Sequence, residues 1–386
     1  MAKSPSQPDV LVLGDHPCAY LAAALLRGGA NPIKVAHAII PGEQMIDRLV
    51  IVNPAFFELH EILGPLKRKL ELSAIYGLRF LADDPKTEIS HAAKTIGAYV
   101  SCLKPIHAAM VKLAEDAKVA FYEPREMRID HLDEHGAQVE LDGTTLKPKL
   151  LVVAGELPAD QKRMIGQPIE WELDVPHRYT YLKLKGSKWY DGGAKPVMPM
   201  SLDVHGTLNW AWLLPGPGMV QVAVDQGPAA GENGNGKGNG SGQELLSYWI
   251  NVLSAHGVLK TGGAPIDVSA AVSMELPLAG ALSQEGVANR TLLIGPAGGF
   301  YTACDEDIYP NCWSAVCAVE VIKKALKERH MQDALQAYRD AWGATLGDYL
   351  RGPQQNLRFL LPLVYRNGMM TARLTEAILL GRSVVR

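Results

Sequence analysis

Residues Val10-Leu11-Val12-Leu13-Gly14-Asp15-His16-Pro17-Cys18-Ala19 are the stretch on which the fold turns. Four aliphatic residues with strand preference end at a glycine, and Ala19 to Arg27 is then dense in Ala and Leu. That order predicts a buried strand, a tight turn and a buried helix. After the Asn31-Pro32 break, Ile33 to Ile40 predicts a second, parallel strand, so residues 9–40 form one βαβ unit of about 30 residues.

Working outward, Ile106, Ala109, Met110, Leu113 and Ala114 recur at helical spacing between Pro105 and Lys118, and Val119 to Tyr122 reads as a strand. Met127 to Leu132, Ala137 to Leu141 and Leu150 to Ala154 follow as short strands, separated by turns at 133–136 and at Asp142-Gly143. A second run of strands, Tyr179 to Lys185, Val197 to Val204, Leu208 to Leu214 and Met219 to Asp225, has the Gly and Pro turns of an antiparallel sheet. Residues 227–242 are almost all Gly, Asn and small polar residues and read as a flexible surface loop. A helix at 243–256, a strand at Leu292 to Gly295 and helices near 311–328 and 331–350 return the chain to an α/β pattern. The first domain is therefore expected to be discontinuous, from 1–165 and 265–330, with an antiparallel substrate-domain sheet in 166–264 and a helical C-terminal region in 331–386.

The chain has 386 residues, 47% apolar and 20% charged, with a formal net charge of −3. This composition excludes a disordered chain and argues against a nucleic-acid-binding surface. Five cysteines with no CxxC pair support neither a disulfide framework nor a metal site, and a reducing cytoplasm fits them best. There is no apolar signal region at the N-terminus and no run near 18 uninterrupted apolar residues, so neither a secreted nor a membrane-spanning protein is expected.

Two motifs carry chemistry. In Gly14-Asp15-His16-Pro17-Cys18-Ala19, only the first of the three glycines of a dinucleotide fingerprint is present. His16 and Ala19 stand at the other two positions, and His37 is the nearest match to the acidic residue that would bind a ribose. A plain strand-to-helix turn remains the alternative. The second motif runs from Leu292 to Ala318, where a strand, a small-residue loop and a helix start near Pro310 would let a ligand approach the backbone.

Four segments, Asp9 to Gly29, Leu150 to Gly166, Asn209 to Val224 and Met274 to Val321, together resemble the geranylgeranyl reductase family and the wider para-hydroxybenzoate hydroxylase-type FAD oxidoreductases. Their order and spacing match over nearly the whole chain. Ala154-Gly155-Glu156-Leu157 is similar to the family's second motif, and Trp210-Ala211-Trp212-Leu213-Leu214-Pro215 to its substrate-domain motif. Leu276-Pro277-Leu278 with Gly295-Pro296-Ala297-Gly298-Gly299-Phe300 resembles the segment that carries Gly-Asp-Ala-Ala-Gly-Phe. The resemblance implies an FAD/NAD(P)-binding, doubly wound Rossmann-like domain, FAD as cofactor, and an oxidoreductase acting on a hydrophobic, isoprenoid-type small molecule. Gly14, His16, Pro17, Ala19, His37, Gly155, Glu156, Gly295, Pro296, Gly298, Gly299 and Phe300 would then frame the cofactor, and Trp210, Trp212 and Pro215 would line the substrate pocket.

Several positions depart from the family pattern. Pro296 stands where the family has an Asp, Glu306 and Ile308 where it has glycines that approach the flavin, and Leu157 where the second motif has Gly. A Cβ at a close-approach glycine crowds a cofactor, and a missing ribose carboxylate removes a charge-assisted hydrogen bond of roughly 1.5–3 kcal/mol. The rival expectation is a flavin-less descendant that serves as a lipid-binding or protein-interaction scaffold.

Tyr301 and Asp305 are the candidate proton donors, because clustered carboxylates raise one another's pKa. The acidic run 305–307 reads equally well as a solvated helix cap. Residues 351–386 hold six arginines against one acid beside an apolar stretch at 359–364, the pattern of a helix lying on an anionic membrane. The alternative there is a helix pair packed on its own domain.

Overall fold

The computed structural model describes residues 7–29, 31–41, 45, 47–133, 135–157, 159–165, 177–186, 189–190, 197–202, 208–228, 241–261, 265–276, 286–301 and 308–380. Strand Val10–Leu13 lies inside a six-stranded sheet. Its order runs Val287–Ala288, Thr291–Leu293, Leu150–Val153, Val10–Leu13, Val35–Ala38, Ala120–Tyr122, and every pairing is parallel except that of the two-residue edge strand. All residues of Val10–Leu13 and Leu150–Val153 are buried. An uninterrupted apolar run is what a parallel strand covered on both faces requires.

One face, carrying Val10, Val12, Val152 and Leu292, is covered by helices Pro17–Arg27, Leu103–Asp116 and Ile308–Ala325. The other face, carrying Leu11, Leu13, Val153 and Leu293, packs against a three-stranded antiparallel meander, Met127–Leu132, Ala137–Leu141 and Thr144–Leu146. The expectation of a doubly wound sheet is corrected here. Alternation puts Ile129, Val139 and Leu141 toward the sheet, so the segment between Ala120–Tyr122 and Leu150–Val153 covers that face as β-structure, in place of a helix layer among the described residues.

The second sheet has seven strands, ordered Val272–Leu276, His177–Lys185, Met219–Pro228, Leu208–Gly216, Val197–Leu202, Gly77–Leu81 and Glu88–Ala92. It is antiparallel except for the pairing of Val197–Leu202 with Gly77–Leu81. Two of its strands thus come from residues 77–92, ahead of the second run of strands in the sequence. A small antiparallel sheet of Leu49–Val52, Ala98–Cys102 and Ser73–Ile75 lies between the two.

The joint between the sheets is specific. Gln221, buried in the seven-stranded sheet, accepts from the Leu49 N–H at 2.7 Å and donates to the Leu49 carbonyl at 3.1 Å, as the backbone of a neighbouring strand would. Lys183 and Asp47 add an ion pair at 2.8 Å. Helix Gly368–Leu380 presses Leu374, Ala377, Ile378 and Leu379 onto the same joint. Among the described residues, no helix is long and apolar enough to cross a membrane.

Candidate functional site

Three turns meet at the carboxyl ends of neighbouring parallel strands, where open α/β sheets bind ligands. Gly14 leaves its strand at φ +125°, and a Cβ there would strike the Gly155 backbone. Gly295 leaves its strand at φ +53°, and a Cβ there would strike the Cys18 sulfur, in the first turn of the helix that follows Gly14. Residues about 280 positions apart in sequence are therefore in contact, which only glycine permits at both corners.

The local chemistry of the Gly14 turn differs from that of a glycine-rich loop. His16 is the N-cap of helix Pro17–Arg27, and its Nδ1 accepts the Cys18 N–H at 3.3 Å. The Cys18 sulfur lies 3.1 Å from the same nitrogen. Nδ1 is the acceptor in both contacts, so the neutral imidazole carries its proton on Nε2. That Nε2 is shut off from solvent and has no hydrogen-bond partner among the described residues. Burial, with the nearby charge of Arg48 second, pushes the His16 pKa down to about 3, so the ring is neutral across the physiological range. Arg48 is itself only 5% exposed.

Asp15 points the other way. It accepts from Tyr20 Oη at 2.6 Å and from His107 Nε2 at 2.8 Å. Burial works against its charge, but those two hydrogen bonds prevail and hold the carboxyl below its usual range. Tyr20 also meets the His37 ring edge-on at 4.4 Å. His37 is 0% exposed, donates from Nε2 to the Gly14 carbonyl at 2.7 Å, and is pushed down by burial to a pKa of about 4. It braces the turn from below and presents no carboxylate to a ribose.

At the Gly295 turn, Ser314 accepts the Gly295 N–H at 2.9 Å and donates to the Asn311 carbonyl at 2.7 Å. The Asn311 side chain, 0% exposed in the first turn of helix Ile308–Ala325, has no partner for its Nδ2 or its Oδ1 among the described residues. Its Oδ1 lies 3.3 Å from where a Gly295 Cβ would stand. Native proteins leave few buried polar groups unpaired, and such groups point to a ligand or ordered water. These orphaned donors and acceptor, with Arg48 close by, fit the phosphate and hydroxyl groups of a dinucleotide cofactor.

The other sequence candidates lie at these turns or beyond them. Phe300 is buried in the helical layer with its ring 5.3 Å from that of Trp342. Ile308 and Leu157 are core residues. Gly155, Gly298 and Gly299 are buried at the turns, Pro17 and Ala19 are buried in the first helical turn, Glu156 is exposed, and Pro296 is partly exposed. Trp210 and Trp212 do share a face, but at 5% and 2% exposure they are core rather than the wall of an open channel. Their rings lie 5.1 Å apart beneath helix Gly368–Leu380, and Trp210 Nε1 donates to Asp225 at 3.0 Å. Asp305, Glu306, Pro277 and Leu278, with most of the 227–242 loop, lie outside the described residues. Sequence reading missed Asn311, Arg48, His107 and Tyr20. An Asn in the first turn after the second motif was the one available signal.

No family model matches the sequence, and no curated protein is similar to it at the sequence level. Solved structures are similar in fold. A point mutant of the halogenase PltM in complex with FAD aligns with a TM-score of 0.68 at 13% identity, over 96% of this chain and 82% of that one. The fold is that of the FAD-dependent oxidoreductases. Pseudomonas aeruginosa PqsL in complex with 2-aminobenzoylacetate aligns at 0.67 and 15% identity, over 91% and 96%. A geranylgeranyl bacteriochlorophyll reductase-like protein of Thermoplasma acidophilum aligns at 0.63 and 16%, over 93% and 92%.

Proposed function

We propose that the chain is a flavin-dependent oxidoreductase similar to geranylgeranyl reductases, acting on a hydrophobic, isoprenoid-type substrate. The observation that carries this reading is the meeting of Gly14, Gly155 and Gly295 at adjacent strand ends, beside a His16 Nε2 and an Asn311 amide with no partner among the described residues. A bound flavin supplies hydride transfer to or from carbon. The chain's own part is positioning and exclusion of water. Gly14, His16, Pro17, Ala19, Gly155, Gly295, Gly298 and Gly299 frame the cofactor, and Tyr301 with Asp305 delivers the proton that completes reduction of an activated double bond. The exposed Arg366 and Arg373, beside exposed Leu363 and Met369, support peripheral contact with an anionic membrane that holds such a substrate.

The test is the visible spectrum of the purified protein, as isolated and after FAD addition and desalting. Flavin bands retained at one equivalent per chain are expected. A desalted protein with no flavin bands rejects the reading. That outcome would favour the flavin-less scaffold, which the buried, carboxylate-free His37 supports.

A further inference from the structure

We infer that the crevice is a phosphate-ester site whose donors are side chains, His16 Nε2–H and the Asn311 amide, in place of the glycine backbone of a dinucleotide loop. A glycine-rich turn binds phosphate with free N–H groups at the helix start. Here the Cys18 N–H is already taken by His16 Nδ1 and the Ala19 N–H by the His16 carbonyl at 2.8 Å, while Pro17 has no N–H. The same imidazole that closes the backbone site opens another: capping through Nδ1 leaves Nε2–H as a buried donor without a partner. Asn311 adds a fully buried amide with an unfilled donor and an unfilled acceptor. The two groups are linked through Cys18, whose sulfur contacts His16 and lies against Gly295, next to Asn311. The charge of Arg48 favours an anion at His16, and the Asp15 carboxylate, which acts on His16 in the opposite sense with a smaller effect, is held by Tyr20 and His107.

One donor facing a cation and one paired donor and acceptor match a phosphate carried on a hydroxyl-bearing chain, as in the ribityl phosphate of FAD or FMN. This assignment rests on the flavin reading above for the identity of the ligand, and not for the anion site itself.

Calorimetric titration of the full-length protein with pyrophosphate, FAD and riboflavin tests it. Pyrophosphate and FAD are expected to bind, and riboflavin at least tenfold more weakly than FAD. His16→Asn keeps a good helix cap with a side chain too short to reach the ligand, and should weaken pyrophosphate at least tenfold with the melting temperature unchanged. Asn311→Leu should weaken it similarly while leaving the fold at least as stable.

Absence of pyrophosphate binding to the wild type, or equal affinity in both variants, overturns the inference. FAD binding that is insensitive to both substitutions overturns it and leaves the flavin reading intact. Pyrophosphate binding lost in the variants, with no binding of FAD or riboflavin, upholds it and removes the flavin reading. Imidazole nitrogen resonances of the wild-type protein decide the matter if a variant fails to fold. The protonated Nε2 of His16 must shift when pyrophosphate is added, and an unmoved signal overturns the inference.

Discussion

The crevice at the strand ends and the tryptophan cluster under the last helix are both buried, and they are buried differently. Trp210 and Trp212 sit among aliphatic side chains, and the Trp210 N–H reaches Asp225. His16, beside the Gly14 turn, and Asn311, beside Gly295, carry buried polar atoms that no partner satisfies among the described residues. One region is finished by folding alone. The other carries unpaired groups, which cost stability and persist where a site makes use of them.

That contrast can be broken most forcefully at Trp212. Trp212→Ala should cost about 3–5 kcal/mol in urea denaturation by emptying a packed core position. If the pair instead lines a vacant channel, the loss will be under about 1 kcal/mol.

The pH dependence of stability addresses the other region. His37 is neutral in the fold with a pKa of about 4 and near 6.5 when unfolded. The unfolded chain therefore binds more protons between those values, and stability is lost as pH falls from about 6.5 to 4. The loss is on the order of 3 kcal/mol, shared in direction by His16, whose folded pKa is also depressed. His37→Gln should flatten the unfolding free energy over that window, and an unchanged slope would show that the ring is not buried neutral.

Trp210→Phe gives the smallest effect. It keeps most of the apolar volume and removes the bond to Asp225, for an expected loss of about 1 kcal/mol by thermal melting.

The parallel sheet was legible in the sequence because a strand buried on both faces must be continuously apolar, as Val10 to Leu13 and Leu150 to Val153 are. The covering of its second face was not. Met127–Leu132 and Ala137–Leu141 read correctly as strands, but local pattern does not say that they lie across another sheet in place of a helix layer. Leu49–Val52 and Gly77–Leu81 pair with segments elsewhere in the chain, Gly77–Leu81 with Val197–Leu202, and no local pattern names those partners. At the site, the glycine corners were visible as letters. The His16 tautomer follows from Cys18, two residues on, but the approach of Cys18 to Gly295 beside Asn311 joins residues nearly three hundred positions apart, and no spacing rule reports it.

The Gln221 clamp has a kinetic meaning. Leu49 is held at both backbone atoms by a single amide from across the joint, directly beside Arg48. Separating the two sheets here would break both bonds to Leu49 together, so the Leu49 amide should exchange with deuterium only when the joint itself opens.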